Sequence, residues 1–255
     1  MQELLTNLII QRLNEAAQTL KKEFFKPQPI KVARHFALDN LLPEELAKQI
    51  YQAFPAPGKM PTISQFGGIK LKYYHLKKAA PLLQHINAAI QDPRVVAAIE
   101  AITEIKNQVP DTTRFAGGIS MLLKGYFINP HLDNSHDMDK KNYRTLNVLY
   151  YVSPDWCLEN GGNYELWDED ISNRIVVPSL FNRLLVMETN RSSWHAVNKV
   201  LCKAPRCCIF NYYFSAQSPE DVEYFFNASS FKPRPSQKIR KAFVRFKERI
   251  LKGLG

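Results

Sequence analysis

Cysteine is scarce in this chain: four residues in 255, Cys157, Cys202, Cys207 and Cys208. None has CxxC spacing, so neither a disulfide framework nor a Cys-ligated zinc site is expected. The thiols read as reduced, in a cytoplasmic protein. Long apolar runs are missing too, and nothing approaches the roughly 18 apolar residues of a membrane-spanning helix. The stretch Leu4–Ile10 is broken by Thr6 and Asn7 and is followed by no small-residue cleavage site, so no secretory signal is expected. Glycine (10) and proline (16) together make up about a tenth of the chain, and 23% of residues are charged. That excludes collagen-like and disordered classes.

Acids are outnumbered, 24 against 34 basic residues, for a net charge of +10. The excess is local. From Phe231 to Gly255 nine basic residues face one acid, Glu248, which leaves +8 in the last 25 residues. The rest is nearly neutral, so the body is not a nucleic-acid surface by charge. Ile239, Phe243, Phe246, Ile250 and Leu254 recur at three- and four-residue spacing and predict a basic amphipathic helix over about 236–251. Such a helix either docks its apolar stripe on the body or makes a peripheral contact with an anionic membrane or acidic partner.

Periodicity predicts a helix over 1–25, ended by Pro27 and Pro29, a strand at 35–42, and a helix opening at Leu42-Pro43-Glu44-Glu45. Further helices are expected at 80–91 and 93–106. After Pro110 the texture becomes β-branched and aromatic, with eight short strands predicted: 112–123, 126–133, 143–152, 163–167, 174–177, 184–188, 193–200 and 206–214. The expected fold is mainly β with flanking helices (α+β), a jelly-roll or cupin-like core packed by N-terminal helices. The reading is of a single domain in three parts: support (1–110), β core (111–216) and basic tail (217–255).

The chemistry-bearing motif is His131-Leu132-Asp133. Residues i and i+2 of a strand share a face, so both can reach one metal ion, with His195 from a later strand as a third ligand. Two imidazoles and one carboxylate leave coordination positions open, which suits non-haem Fe(II). Arg206 opens the apolar run Cys207–Phe214. A guanidinium there either reaches back to water or meets an anion, such as the far carboxylate of a metal-chelating dicarboxylate. The alternation of residues 143–152 puts Asn147, Leu149 and Tyr151 on one face. The polar loop 134–142 carries His136 and Asp137, read either as substrate contacts or as a solvated turn.

In chain order, His131-Leu132-Asp133-Asn134, Leu149-Tyr150-Tyr151-Val152, Asp155-Trp156, Gly161-Gly162, Asn182-Arg183-Leu184-Leu185, His195-Ala196-Val197 and Arg206 resemble the 2-oxoglutarate/Fe(II)-dependent oxygenases. The prolyl-hydroxylase-like branch is the most similar, over about 112–214. The resemblance implies a double-stranded β-helix and the cofactors Fe(II), 2-oxoglutarate and O2, with ascorbate as an auxiliary reductant. It implies His131, Asp133 and His195 as metal ligands and catalytic centre. It further implies that Arg206 and Tyr151 hold the distal carboxylate of 2-oxoglutarate and that Asn147 lines its pocket. The implied reaction hydroxylates an unactivated C–H bond of a small molecule or peptide, with release of succinate and CO2. A protein prolyl hydroxylase is one alternative. A non-catalytic β-barrel module that binds membrane or nucleic acid through its basic tail is another.

Overall fold

The computed structural model describes residues 1–65, 67–73, 76–111, 117–220 and 222–237. The expected C-terminal helix therefore falls almost wholly outside the described residues. Helix α1 spans Gln2–Phe25 and buries Leu5, Ile9, Leu13, Leu20 and Phe24. Each such side chain contributes about 1.5–3 kcal/mol when fully buried. Pro27 holds Lys26 extended and ends the helix. Strand β1 (His35–Leu38) is shorter than expected because the chain turns at Asn40, at φ 54°. The Asn182 side chain then captures Leu42, accepting from its N–H and donating to its carbonyl.

Helix α2 (Glu44–Gln52) follows Pro43 with two acids in its first turn. Strands β2 (Thr62–Gln65) and β3 (Gly68–Tyr73) form a hairpin that periodicity did not single out. Helix α3 (Pro81–Ile90) has proline in its first turn. Helix α4 (Pro93–Thr103) does too, and Asp92 caps it by accepting from the Arg94 N–H at 3.0 Å. A two-residue strand β4 (Val109–Pro110) leads into the β core.

The core strands are β5 (Gly118–Leu122), β6 (Ile128–Leu132), β7 (Tyr143–Tyr151), β8 (Tyr164–Trp167), β9 (Arg174–Val177), β10 (Arg183–Glu188), β11 (His195–Val197) and β12 (Arg206–Ser215). All eight lie within the expected strands or a residue beyond them. Strand β13 (Ser230–Phe231) pairs with β6. The pairing is antiparallel throughout and runs β1-β10-β7-β12-β5-β3-β6-β11-β8-β9, a curled jelly-roll sheet. It divides the core into two layers. On the outer face Leu71, Ile119, Met121, Leu146, Val148, Tyr150, Leu184, Val186, Cys207 and Ile209 join the side chains of α1, α3 and α4. On the inner face Leu122, Leu149, Tyr151, Leu185, Met187, Cys208, Phe210 and Tyr212 meet the smaller sheet.

The two halves join at β3–β6 through one residue pair, Gly68 and Ile128. Gly68 sits at φ 130°, and a Cβ there would lie 2.1 Å from the Phe127 carbonyl oxygen. Only glycine permits that approach.

Candidate active site

His131 and His195 are direct cross-strand partners on β6 and β11, with ring centroids 4.2 Å apart. The next pair in register is Val197 with Ile128, so β6 carries an extra residue at Asn129-Pro130. Proline has no N–H to give a ladder and is at home in such a bulge. Asp133 follows at the end of β6. Its carboxylate lies 3.9 Å from His131 Nε2 and 3.6 Å from His195 Nε2. One ligand atom from each of the three lies within 4.8 Å of the other two.

The backbone sets the imidazole tautomers. His131 Nδ1–H donates to the Asn129 carbonyl and His195 Nδ1–H to the Ser193 carbonyl, each at 2.9 Å. The Nε2 lone pairs are then left facing Asp133, as a metal site requires. Tyr164 stacks on His195 at 5.4 Å and Phe231 on His131 at 5.0 Å. Burial, then the neighbouring His195, pushes the His131 pKa down to about 3, and burial lowers that of His195. Burial opposes ionisation of Asp133, but the Arg144 guanidinium outweighs it and holds the carboxyl well below its ordinary range. Neutral imidazoles beside an ionised carboxylate are the protonation states a divalent cation needs.

Arg206 and Tyr151 lie together on the inner wall, the guanidinium carbon 4.5 Å from the ring centroid. Arg206 is 3% exposed, donates from Nη2 to Ser179 Oγ at 3.2 Å and leaves Nε without an acceptor. Among the described residues no carboxylate pairs with it. The Tyr151 hydroxyl is buried without a hydrogen-bond partner, and burial raises its pKa, so it stays a donor. Two orphaned donors, one of them cationic, fit a carboxylate such as the distal end of 2-oxoglutarate.

Asn147 Nδ2 donates to Asp133 Oδ2 at 3.1 Å, so this side chain reaches the acid as well as the cavity. His136 and Asp137 are used locally. His136 Nδ1 is 2.7 Å from Ser135 Oγ and its ring packs on Tyr143 and Phe225. Asp137 accepts from the Lys141 N–H and the Asn142 amide within one turn.

Three cations at this site escaped the sequence reading. Arg144 should face outward by alternation, since Leu146, Val148 and Tyr150 do. Pairing steps from Tyr213–Leu146 to Phe214–Arg144, so Thr145 is an extra residue on β7. Thr145 is held outward by hydrogen bonds to Gln108 and the Tyr213 carbonyl, and the bulge turns Arg144 inward. There it lies 3.2 Å from Asp133 and 3.8 Å over the Tyr212 ring. Lys70 and Lys72 alternate with Leu71, which packs on the helical side. A pattern that assigns lysines to water thus points them into the barrel. The Lys72 ammonium lies 4.4 Å over the Phe210 ring.

Residues 117–214 match the family model described as the 2OG-Fe(II) oxygenase superfamily. No curated protein matches the chain. Among solved structures, a prolyl 4-hydroxylase from Phytophthora capsici is similar at TM-score 0.59 and 14% identity, over 96% of this chain and 75% of that one. A Pseudomonas putida prolyl-4-hydroxylase aligns at TM-score 0.54 and 15% identity, over 80% and 98%. HygX from Streptomyces hygroscopicus, solved with nickel and 2-oxoglutarate bound, aligns at 0.51 and 11%, over 77% and 92%. At these identities the structures speak for the fold, and the family model speaks for the chemistry. Residues 117–214 of this chain are thus similar to the 2OG-Fe(II) oxygenase superfamily, and the chain shares the fold of the prolyl 4-hydroxylases and of HygX.

Proposed function

We propose that this protein is a hydroxylase in which His131, Asp133 and His195 hold the iron and Arg206 and Tyr151 hold the distal carboxylate of 2-oxoglutarate. The observation that carries the assignment is a buried His/Asp/His donor set together with a buried Arg206 guanidinium that, among the described residues, pairs with no carboxylate. When bound, iron with 2-oxoglutarate and O2 supplies oxidative decarboxylation to succinate and CO2, coupled to oxygenation of a C–H bond. The chain's own residues bind, orient and shield. The Asn129 and Ser193 carbonyls orient the imidazoles, Asn147 and Arg144 fix the Asp133 carboxylate, and Phe231 and Tyr164 cover the two rings. Residues 111–216 form the catalytic core, with 1–110 as its support and 217–255 as a tail.

A peptidyl proline is the second reading of the substrate, supported by the prolyl hydroxylases among the fold neighbours. Iron-loaded protein supplied with 2-oxoglutarate in air should form succinate, and His131→Ala or Asp133→Ala should abolish it. Equal succinate from His131→Ala would overturn the metal assignment. Proline-containing peptides that accelerate turnover and gain 16 mass units would favour the second reading.

A further inference from the structure

Strands β6 and β11 carry both imidazoles of the donor set, and the pairing between them is irregular. From His195–His131 to Val197–Ile128 the register steps over the extra residue in Asn129-Pro130. A bulge bends its strand and leaves one residue outside the ladder, and this one directly precedes His131. The Asn129 carbonyl, which accepts from His131 Nδ1–H at 2.9 Å, belongs to the bulge. Whatever fixes the bulge therefore fixes the direction of the His131 ring.

Groups from outside the strand pair hold it. The Asn129 N–H donates to the Gly67 carbonyl at 2.6 Å, and the Pro130 carbonyl accepts from the Lys232 N–H at 2.8 Å. Two residues further along the C-terminal segment, Arg234 Nη2 donates to the Ile128 carbonyl at 3.0 Å and to the Val197 carbonyl at 2.9 Å. Ile128 and Val197 are partners across the two strands beside the bulge, so one nitrogen ties β6 to β11. Nη1 of the same guanidinium donates to Glu165 Oε2 on β8, a carboxylate 1% exposed and opposite Ala196 of β11. The Arg234 side chain is itself only 14% exposed. A planar guanidinium presents its donors at fixed angles and can serve two carbonyls and a carboxylate at once, which a lysine ammonium on its flexible stem does not reproduce.

We infer that Arg234 is a positioning residue of the candidate metal centre: its guanidinium pins β6, β8 and β11 together at the bulge and thereby holds the Asn129 carbonyl that aims His131. The inference rests on the metal assignment above and extends the site to a residue outside the matched core, in the segment that the sequence pattern assigns to a basic tail. Phe231, three residues earlier in that segment, stacks on the His131 ring. Groups that orient a metal ligand change metal affinity by about 10- to 100-fold when they are removed.

The test titrates cobalt(II) into the metal-free full chain. Calorimetry reads the affinity, visible d–d absorption reads the ligand geometry, and urea unfolding without metal reads the fold. Arg234→Lys keeps a cation for Glu165 but loses the fork. It should bind cobalt about tenfold more weakly, with altered absorption, while its metal-free urea midpoint stays close to the native one. The control is Arg174, whose Nε lies 3.0 Å from Glu165 Oε1. Arg174→Met takes a cation from the same carboxylate, leaves the Arg234 bonds to both carbonyls in place, and should keep native affinity and absorption. Native affinity and absorption in Arg234→Lys would overturn the inference. So would an equal loss in Arg174→Met, which would trace the effect to the charge on Glu165 alone, or a loss in Arg234→Lys that comes only with loss of the fold. The metal assignment is judged separately by His131→Ala. Cobalt binding abolished there and untouched in Arg234→Lys would keep that assignment and lose this inference.

Discussion

Replacing Arg206 by Met should move two measurements in opposite directions. In the ligand-free protein the guanidinium is 3% exposed, with Ser179 as a neutral acceptor and Nε without one. An unsatisfied buried donor costs about 1–3 kcal/mol. Met is nearly as long and uncharged, so the ligand-free variant should be more stable than the native chain by about 1–2 kcal/mol. With co-substrate the sign reverses. Removing one partner of a buried charge pair costs roughly 3–5 kcal/mol, or about two to three and a half orders of magnitude in affinity for 2-oxoglutarate. Urea unfolding with nickel present reads both effects. At 100 times its dissociation constant 2-oxoglutarate should add about 2.7 kcal/mol to the native chain and almost nothing to the variant at the same concentration. A variant whose unfolding midpoint still rises with 2-oxoglutarate as the native chain's does would refute the role of this guanidinium.

Three further expectations follow from single contacts. Arg144→Leu leaves Asp133 buried without its guanidinium partner, and with EDTA present the urea midpoint should fall by an amount equivalent to about 3 kcal/mol. Nickel, which supplies a replacement cation, should recover much of that loss. Gly68→Ala puts a methyl group 2.1 Å from the Phe127 carbonyl at φ 130°. The junction of the two sheet halves must shift, and a loss of at least about 2 kcal/mol in urea unfolding is expected. His35 is buried and burial lowers its pKa below 6.5. The unfolded chain therefore takes up the proton first as pH falls, and stability present at neutral pH is lost below about 6.5. In His35→Gln the decline of the urea midpoint between pH 6.5 and 5 should be shallower than in the native chain.

Much of the fold is legible because its signals are local. The eight core strands are bounded by turn residues and written in β-branched and aromatic runs, and the helices by apolar spacing, prolines and caps. His131 and Asp133 read as a pair because strand alternation alone puts i and i+2 on one face, and Arg206 stood out as a cation at the head of an apolar run. The polarity of the β3 hairpin was not legible. Alternation shows two faces but not which one meets helices and which meets a cavity, so Lys70 and Lys72 could be placed only once Leu71 was seen against the helical layer.

Legible along the chain alone, then, were the N-terminal helices, the eight core strands and the residue types of a metal site, because these depend on sequence neighbours. Tertiary structure decided the rest. It chose the bulge at Thr145 that turns Arg144 onto Asp133, the cross-strand register that sets His195 against His131, and the return of Phe231 over the His131 ring. Each of these depends on backbone pairings between residues up to about a hundred positions apart, and side-chain direction in a sheet is fixed only when such pairings are made.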